Sequence, residues 1–191
     1  MVTAIKERAS LSDEDLGRLL GLMKGADSVE LKLTIPAPDH RATIGGLKID
    51  ALDAQIRQVF FLDTPDQRLS SSGVILRTRR VQGKRGDSTV KLRPVVPSEL
   101  PGALRRTPGF GVEVDAMPGG FVCSASLKNV IDNQAAQDAS MGNLPSRKLF
   151  SKDQRAFFQM HAPDGIALDD LQLLGPFFAV SYTHLTLPTK A

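Results

Sequence analysis

The chain has 191 residues, of which 41% are hydrophobic and 24% are charged, a composition typical of one globular domain and not of a disordered chain or a coiled coil. No apolar run approaches the roughly 20 residues that a membrane helix requires, and the charged N-terminus does not resemble a signal peptide. The net charge of +3 is too small to indicate a partner, and the single cysteine, Cys123, excludes an internal disulfide, so a cytoplasmic location is expected.

The first third of the chain predicts one helix followed by one strand. Residues 11–25 carry apolar side chains at helical spacing, and Ser12 is placed to cap this helix. Residues 28–35 alternate between apolar and polar side chains, which is the pattern of a strand with one buried face. Residues 39–54 fit neither pattern, and Gly45 with Gly46 favours a turn there.

The middle of the chain predicts four more strands and a second helix. The strands are expected at residues 58–62, 74–81, 88–95 and 110–115. The polar segment at residues 82–87 contains two glycines, so the strands on either side of it are expected to form a hairpin. Residues 124–139 are predicted to be helical, because Leu127, Val130 and Ile131 fall on one helical face.

The last part of the chain predicts a third helix, a strand region and an unusual end. Ser151 and Gln154 form a capping-box pattern that begins a helix running to His161, and a strand region is expected after residue 166. Residues 181–191 have no periodicity and resemble the translation of a sequencing-library adapter. We therefore expect one domain at residues 1–180 that lacks its last strands, with residues 181–191 as a non-native tail; a natural polar tail is the alternative.

Four predicted strands carry charged residues at positions i and i+2, with apolar residues on the opposite face. The pairs are Glu30/Lys32, Arg77/Arg79, Lys91/Arg93 and Glu113/Asp115. Each pair shares one face of its strand, because successive side chains alternate. Two interpretations remain open: an antiparallel sheet with one solvated face, or a barrel whose charged faces point inward. Inside a barrel, basic groups would bind phosphate oxygens and carboxylates would bind Mg²⁺ or Mn²⁺.

Several segments, in a fixed order along residues 28–178, resemble the CYTH superfamily, the triphosphate tunnel metalloenzymes. The E-x-E-x-K motif of the family resembles Ser-Val-Glu-Leu-Lys at 28–32, and its Y-F-D-T-P-D turn resembles Phe-Phe-Leu-Asp-Thr-Pro-Asp at 60–66. Its G-x-x-L-R-x-R and T-x-K-x-R strands resemble residues 73–79 and 89–93. Its acidic strand corresponds to residues 113–115, and the approach to its late strand resembles Leu168-Asp169 with Leu174-Gly175. The resemblance implies an α+β fold in which an antiparallel β-barrel forms a charged tunnel flanked by helices.

The resemblance also implies a function and a set of site residues. Members hydrolyse inorganic triphosphate, thiamine triphosphate or the 5′ end of RNA, and one branch cyclises ATP. Carried over by position, the substrate-binding residues are Lys32, Arg77, Arg79, Lys91 and Arg93. The expected ligands for Mg²⁺ or Mn²⁺ are Glu30, Glu113 and Asp115. Glu30 and Lys32 are the expected catalytic residues.

The sequence departs from the family pattern at three acidic positions, and this keeps three functions in view. Ser28 stands where the first glutamate of E-x-E-x-K belongs, and Ala179 and Ser181 stand where the late strand has E-x-E. A metal-dependent triphosphatase is the preferred hypothesis. An adenylate cyclase and a non-catalytic polyphosphate- or nucleotide-binding module are the alternatives. Nucleic acid is disfavoured as a partner, because residues 77–93 contain no phenylalanine on which bases could stack.

Overall fold

The computed structural model describes residues 12–32, 34–47 and 55–181 and shows a mixed α+β fold built on one seven-stranded sheet. The strands are β1 Ser28–Leu31, β2 Gln55–Asp63, β3 Val74–Val81, β4 Gly86–Leu92, β5 Phe110–Met117, β6 Gly120–Ile131 and β7 Gln172–Ser181. Their order across the sheet is β1-β5-β6-β4-β3-β2-β7. All neighbouring pairs are antiparallel except β1 and β5, which run parallel.

The predicted fold class is confirmed: the protein combines a largely antiparallel sheet with flanking helices. Over the described ranges the sheet is not closed by hydrogen bonds, so β1 and β7 are its two edges. The helices are α1 Asp13–Met23, α2 His40–Gly46, α3 Arg68–Ser71, α4 Asn133–Ser140 and α5 Lys152–His161. In this described part of the chain, none of the helices has the length and apolar character needed to cross a bilayer.

Two of the predicted helices begin where their capping residues predict. The hydroxyl of Ser12 accepts a hydrogen bond of 3.0 Å from the backbone N–H of Asp15, which confirms the cap of α1. Ser151 and Gln154 form the predicted reciprocal capping box at the start of α5. Gly45 and Gly46, where a turn was predicted, lie in the last turn of α2. Residues 48–54 and most of the predicted tail, residues 182–191, lie outside the described ranges.

The helix predicted for residues 124–139 is wrong over its first half, because residues 124–131 belong to β6. β6 pairs with β4 on one side and with β5 on the other, so both of its edges are hydrogen-bonded. These two partner strands override the local helical spacing. The helix α4 begins only at Asn133, where the side chain of Asp132 accepts a hydrogen bond from the N–H of Gln134.

The apolar faces of the strands pack against α4 and α5, and this packing leaves the other face of the sheet to the charged residues. Buried members of the main core are Leu62, Val74, Leu76, Val90, Leu92, Leu127, Phe150, Phe157 and Phe158. A smaller cluster, which includes Cys123, packs against Leu19 and Leu22 of α1. Removal of this apolar area from water stabilises the fold, and it fixes which side of the sheet is available for a site.

Gln154 joins α5 to the two central strands. Its side chain is fully buried, and its amide nitrogen donates hydrogen bonds of 2.9 Å to the carbonyl oxygens of Ser88 and Leu127. Its amide oxygen accepts from the Ser88 hydroxyl at 2.9 Å and from the Ser151 N–H at 3.0 Å. All these partners are themselves fixed in the fold, so the network sets the position of α5 relative to β4 and β6.

Asp63 organises the turn that connects β2 to β3. Its carboxylate accepts hydrogen bonds from the backbone N–H groups of Thr64 at 2.8 Å, Leu69 at 2.9 Å and Ser70 at 3.1 Å. Burial by itself would raise the pKa of Asp63, but these donors outweigh it and lower the pKa below the ordinary value of 3.8.

We expect Asp63→Asn to lower the free energy of unfolding at neutral pH by about 2 kcal/mol, because the charged acceptor of several backbone donors is lost. A carboxyl group with a depressed folded pKa stabilises the fold above its unfolded pKa, and this contribution disappears as the pH falls through the folded pKa. The difference between wild type and variant should therefore shrink below about pH 4. Urea unfolding at a series of pH values measures it, with the exposed neighbour Asp66→Asn as control. A gap that stays constant down to pH 2 would contradict this role.

Candidate functional site

One side of the sheet, called the charged face below, carries all eight predicted site residues. Cross-strand partners point to the same side of a sheet, and the register pairs Arg77 with Thr89, Lys91 with Ser126, and Glu30 with Asp115. The eight residues are Glu30, Lys32, Arg77, Arg79, Lys91, Arg93, Glu113 and Asp115. Most of these side chains are at least half buried, so the charged face is more enclosed than the solvated side of an ordinary sheet.

Asp115 is the centre of an ion cluster on this face. Its side chain is 0% exposed, and its Oδ1 lies 2.8 Å from the Lys32 Nζ. Its Oδ2 lies 3.4 Å from the Arg93 Nη2 and 4.0 Å from the Lys91 Nζ. A buried carboxylate requires such partners, because an unpaired buried charge is very costly. Here three cations surround one carboxylate, and they bring β1, β4 and β5 to one point.

Lys32 is held in its cationic form by this cluster. Burial alone would lower the pKa of Lys32, but the hydrogen bond and the charge of Asp115, together with the charge of Glu30 at 3.6 Å, raise the pKa above 10.5. The ammonium group therefore stays charged at neutral pH. It lies between the carboxylates of Glu30 on β1 and Asp115 on β5, where it can also face an incoming anion.

The three predicted metal ligands come together beside this cluster. One carboxylate oxygen from each of Glu30, Glu113 and Asp115 lies within 4.8 Å of the other two. Three oxygens this close together could be shared by one cation, and water would supply the other ligands. Oxygen donors are the ligands that Mg²⁺ and Mn²⁺ prefer, and the trio therefore fits a divalent cation. Ser28, the cross-strand partner of Glu113, offers no carboxylate to it.

A second ion cluster holds the arginines of β3. The Nε and Nη2 of Arg79 each lie 2.8 Å from the Asp87 Oδ2, which is a two-pronged contact. The Nη2 of Arg77 donates to the Thr89 Oγ1 at 3.4 Å and lies 3.9 Å from the Asp87 Oδ1. Sequence analysis assigned Asp87 to a turn and missed it as a site residue. Its position two residues before Thr89 was the available signal, because β4 begins at Gly86 and not at Ser88.

Arg57 is another residue of the charged face that sequence analysis missed. On β2, Val59 pairs with Arg79 and Phe61 with Arg77, so the residue two positions earlier points the same way. Burial lowers the pKa of Arg77, and the charges of Arg79 and Arg57 lower it further. Because the guanidinium nevertheless remains charged, positive charge is concentrated here. The predicted strand began at residue 58, which left Arg57 outside it.

Arg80 shows that the two faces of β3 have different roles. Its Nη1 donates to the Gln58 Oε1 at 2.6 Å, and its Nη2 donates to the Gln137 Oε1 at 3.0 Å. Gln137 belongs to α4, so Arg80 attaches the helix to the sheet on the side opposite the charged face. Arg80 therefore serves packing, whereas its neighbour Arg79 belongs to the candidate site.

A cavity of about 580 Å³ lies beside the first ion cluster. Its lining includes Lys32 and Arg93, together with Thr34, Met117 and Pro118. Sites for small molecules commonly have volumes of about 300–1,000 Å³. The cavity is therefore large enough for a small polyanion in contact with the cations around Asp115.

The fold is similar to that of solved proteins, although no protein-family model and no curated protein sequence matches the chain. HpAC1 from Hippeastrum, described as a candidate adenylyl cyclase with a dominant triphosphatase activity, aligns with a TM-score of 0.51 and 19% identity over 76% of this chain and 60% of its own. A candidate adenylate cyclase from Bacillus halodurans aligns with a TM-score of 0.48 and 16% identity over 74% of this chain and 57% of its own.

The similarity to HpAC1 supports the α+β fold that the sequence predicted. At such low identity the likeness concerns the fold alone. The chain spans about three fifths of the length of the structures that it matches.

Proposed function

We propose that the charged face binds the triphosphate group of a small molecule and that the protein hydrolyses this group with a divalent cation. The observation that carries the proposal is the convergence of basic side chains and an acidic trio on one partly enclosed face. Within this proposal, the predicted unit of residues 1–180 is the triphosphate-binding domain. Phosphoryl transfer depends mainly on positioning of the phosphates and on stabilisation of their charge, and the cations and the acidic trio can supply both.

The basic side chains supply the binding energy for the phosphates. The partly buried cations that face this side are Lys32, Arg57, Arg77, Arg79, Lys91 and Arg93. Lys128, the cross-strand partner of Thr89, is an exposed cation on the same face. Arginine presents a planar fork that matches phosphate oxygens, and lysine adds a compact charge. The carboxylates that neutralise them are Glu30, Asp87, Glu113 and Asp115. Because the cations outnumber the carboxylates, the face retains a positive charge for an anion.

Asp87 is the internal competitor of the substrate for Arg79. Its two-pronged contact occupies the guanidinium edge that a phosphate would use. A bound phosphate must therefore share Arg79 or displace Asp87. Arg77 is less committed, because its nearest Asp87 oxygen is 3.9 Å away. We assign the stronger phosphate contact to Arg77 for this reason.

Glu30, Glu113 and Asp115 would hold Mg²⁺ or Mn²⁺, which would neutralise charge on the phosphoryl group being transferred. Asp115 orients Lys32, and the ammonium group of Lys32 stabilises charge on the terminal phosphate. Glu30 is the most exposed member of the trio and is assigned to position the attacking water. The partly enclosed face limits competing solvent around these groups, which strengthens each charge interaction.

Hydrolysis is preferred over cyclisation for this proposal because HpAC1, which shares the fold, is described with a dominant triphosphatase activity. The departure at Ser28 leaves the acidic trio one carboxylate short of the family pattern. Turnover is therefore the part of the proposal that needs the most direct test, whereas anion binding depends on the cations of the charged face.

The test is to incubate the protein with inorganic triphosphate, and separately with ATP, in the presence of Mg²⁺, Mn²⁺ or a chelator. We expect release of inorganic phosphate that depends on the metal and falls at least about tenfold in the chelator. Glu113→Gln is the matched variant, because it removes one ligand of the trio and should lose metal-dependent release. If ATP yields cyclic AMP and pyrophosphate instead, the protein is a cyclase and not a triphosphatase. Binding without turnover, independent of metal, would support a non-catalytic module instead.

A further inference from the structure

A second cavity, of about 320 Å³, lies between β2, β3, β7 and the turn that contains α3, and the proposed phosphate site does not use it. It is called the aromatic pocket below. Its apolar side chains on the side of the charged face are Phe61, Ile75, Leu174 and Phe177. Gln67 and Ser70 of the α3 turn supply polar groups to its wall. A mostly apolar cavity with a few polar groups is typical of a binding site for an organic ring.

The sheet register places the aromatic pocket directly beside the phosphate-binding cations. Phe61 is the cross-strand partner of Arg77, and Ile75 is the partner of Lys91. Partners of this kind are about 5 Å apart between Cα atoms, and Ile75 lies about 7 Å along β3 from Arg77. A ligand with its phosphates on Arg77 and Lys91 can therefore extend into the pocket across a spacing comparable to one sugar.

Two phenylalanine rings give the pocket a preference for a flat ring. The rings of Phe61 and Phe177 meet edge to face, with centroids 5.9 Å apart, and Phe177 is still 54% exposed. Exposed aromatic rings beside cations are the surfaces on which bases stack. Asp63 also lines the pocket, but its carboxylate accepts backbone N–H groups of the turn and so does not present a free charge to a ring.

We propose that the aromatic pocket binds the base of a nucleoside triphosphate whose phosphate groups lie on the charged face. The inference rests on the proposed function, because it uses the same cations, and it narrows the substrate class from any triphosphate to one with an aromatic base. Stacking on Phe177 contributes affinity, and the amide of Gln67 is available to hydrogen-bond the edge of the base. The hydroxyl of Ser70 donates to the Gln67 carbonyl oxygen at 3.1 Å, so it is available to the base as an acceptor.

The experiment compares inorganic triphosphate with ATP, GTP, CTP and UTP by titration calorimetry in the presence of a chelator. Phe177→Leu keeps an apolar side chain but removes the ring, and we expect it to weaken binding of the preferred nucleotide by about tenfold. Binding of inorganic triphosphate should stay within twofold of wild type. Phe178→Leu is the matched control, because Phe178 follows on the same strand, pairs with Gln58 on the opposite face and is 71% exposed.

The possible outcomes separate this inference from the proposed function. If Phe177→Leu loses equal affinity for inorganic triphosphate and for the preferred nucleotide, or loses none for either, the base does not bind in the aromatic pocket. Binding of inorganic triphosphate without binding of any nucleotide would also overturn this inference while leaving the proposed function in place. Failure of wild type to bind either ligand would overturn the proposed function itself.

An NMR measurement of the same pair of variants gives an independent readout. Saturation transferred from aromatic protein protons should reach the base protons of the nucleotide in wild type and in Phe178→Leu. It should fall well below the wild-type level in Phe177→Leu, where Phe61 is the remaining aromatic ring of the pocket. Thermal unfolding of each variant establishes that it is folded, and a transfer signal of wild-type strength in folded Phe177→Leu would contradict the assignment.

Discussion

Replacing Arg77 by alanine is expected to weaken the binding of inorganic triphosphate about 10- to 150-fold, which corresponds to the ~1.5–3 kcal/mol of a charged hydrogen bond. The side chain of Arg77 is 28% exposed on the charged face, and only a long contact of 3.9 Å ties it to Asp87. Its guanidinium is thus the arginine group of β3 most available to a phosphate. Titration calorimetry with inorganic triphosphate measures the loss directly.

Arg80→Ala is the matched control for Arg77→Ala. It removes the same side chain from the same strand, but from the face that contacts Gln58 and Gln137. We expect it to reduce stability slightly and to leave the dissociation constant within about twofold. Similar losses of affinity in the two variants would show that the anion is not bound on the charged face.

Asp115→Asn is expected to lower the free energy of unfolding by about 3 kcal/mol, the scale for breaking a buried ion pair. Asp115 is 0% exposed, and its replacement leaves Lys32, Lys91 and Arg93 close together without their shared counter-charge. Urea unfolding measures the loss. Added inorganic triphosphate should restore part of the stability, because an anion that binds only the folded state stabilises it.

Glu30→Gln provides the comparison for Asp115→Asn within the same cluster. The side chain of Glu30 is 52% exposed, and its contact with Lys32 is 3.6 Å long. Solvent screens such a pair, so we expect a loss below about 1 kcal/mol. Equal destabilisation by the two substitutions would contradict the central position of Asp115.

The faces of the charged strands could be predicted from the sequence because their pattern is local. Arg77 and Arg79 are two residues apart in a strand, so their side chains must point to the same face of the sheet. The same pattern correctly placed Glu113 and Asp115 on one face of β5. Alternation does not reveal which strands are neighbours, however, and so the parallel pairing of β1 with β5 could not be predicted.

The features that were missed depend on partners distant in sequence. The segment of β6 from Ser124 to Leu127 consists of small residues and leucine, and it becomes a strand because β4 and β5 bond both of its edges. Arg57 and Asp87 were missed because β2 and β4 each begin two or three residues before the predicted start. Pairing with neighbouring strands, rather than local composition, sets these ends.

The short edge strand β1 has a thermodynamic consequence for the whole site. β1 contains four residues and is paired on one side, to β5, yet it carries Glu30, and Lys32 follows directly after it. Detaching such an edge costs only part of the free energy of global unfolding. A ligand that engages both side chains therefore favours the attached state, so occupancy of the site and order of this edge are linked and each strengthens the other.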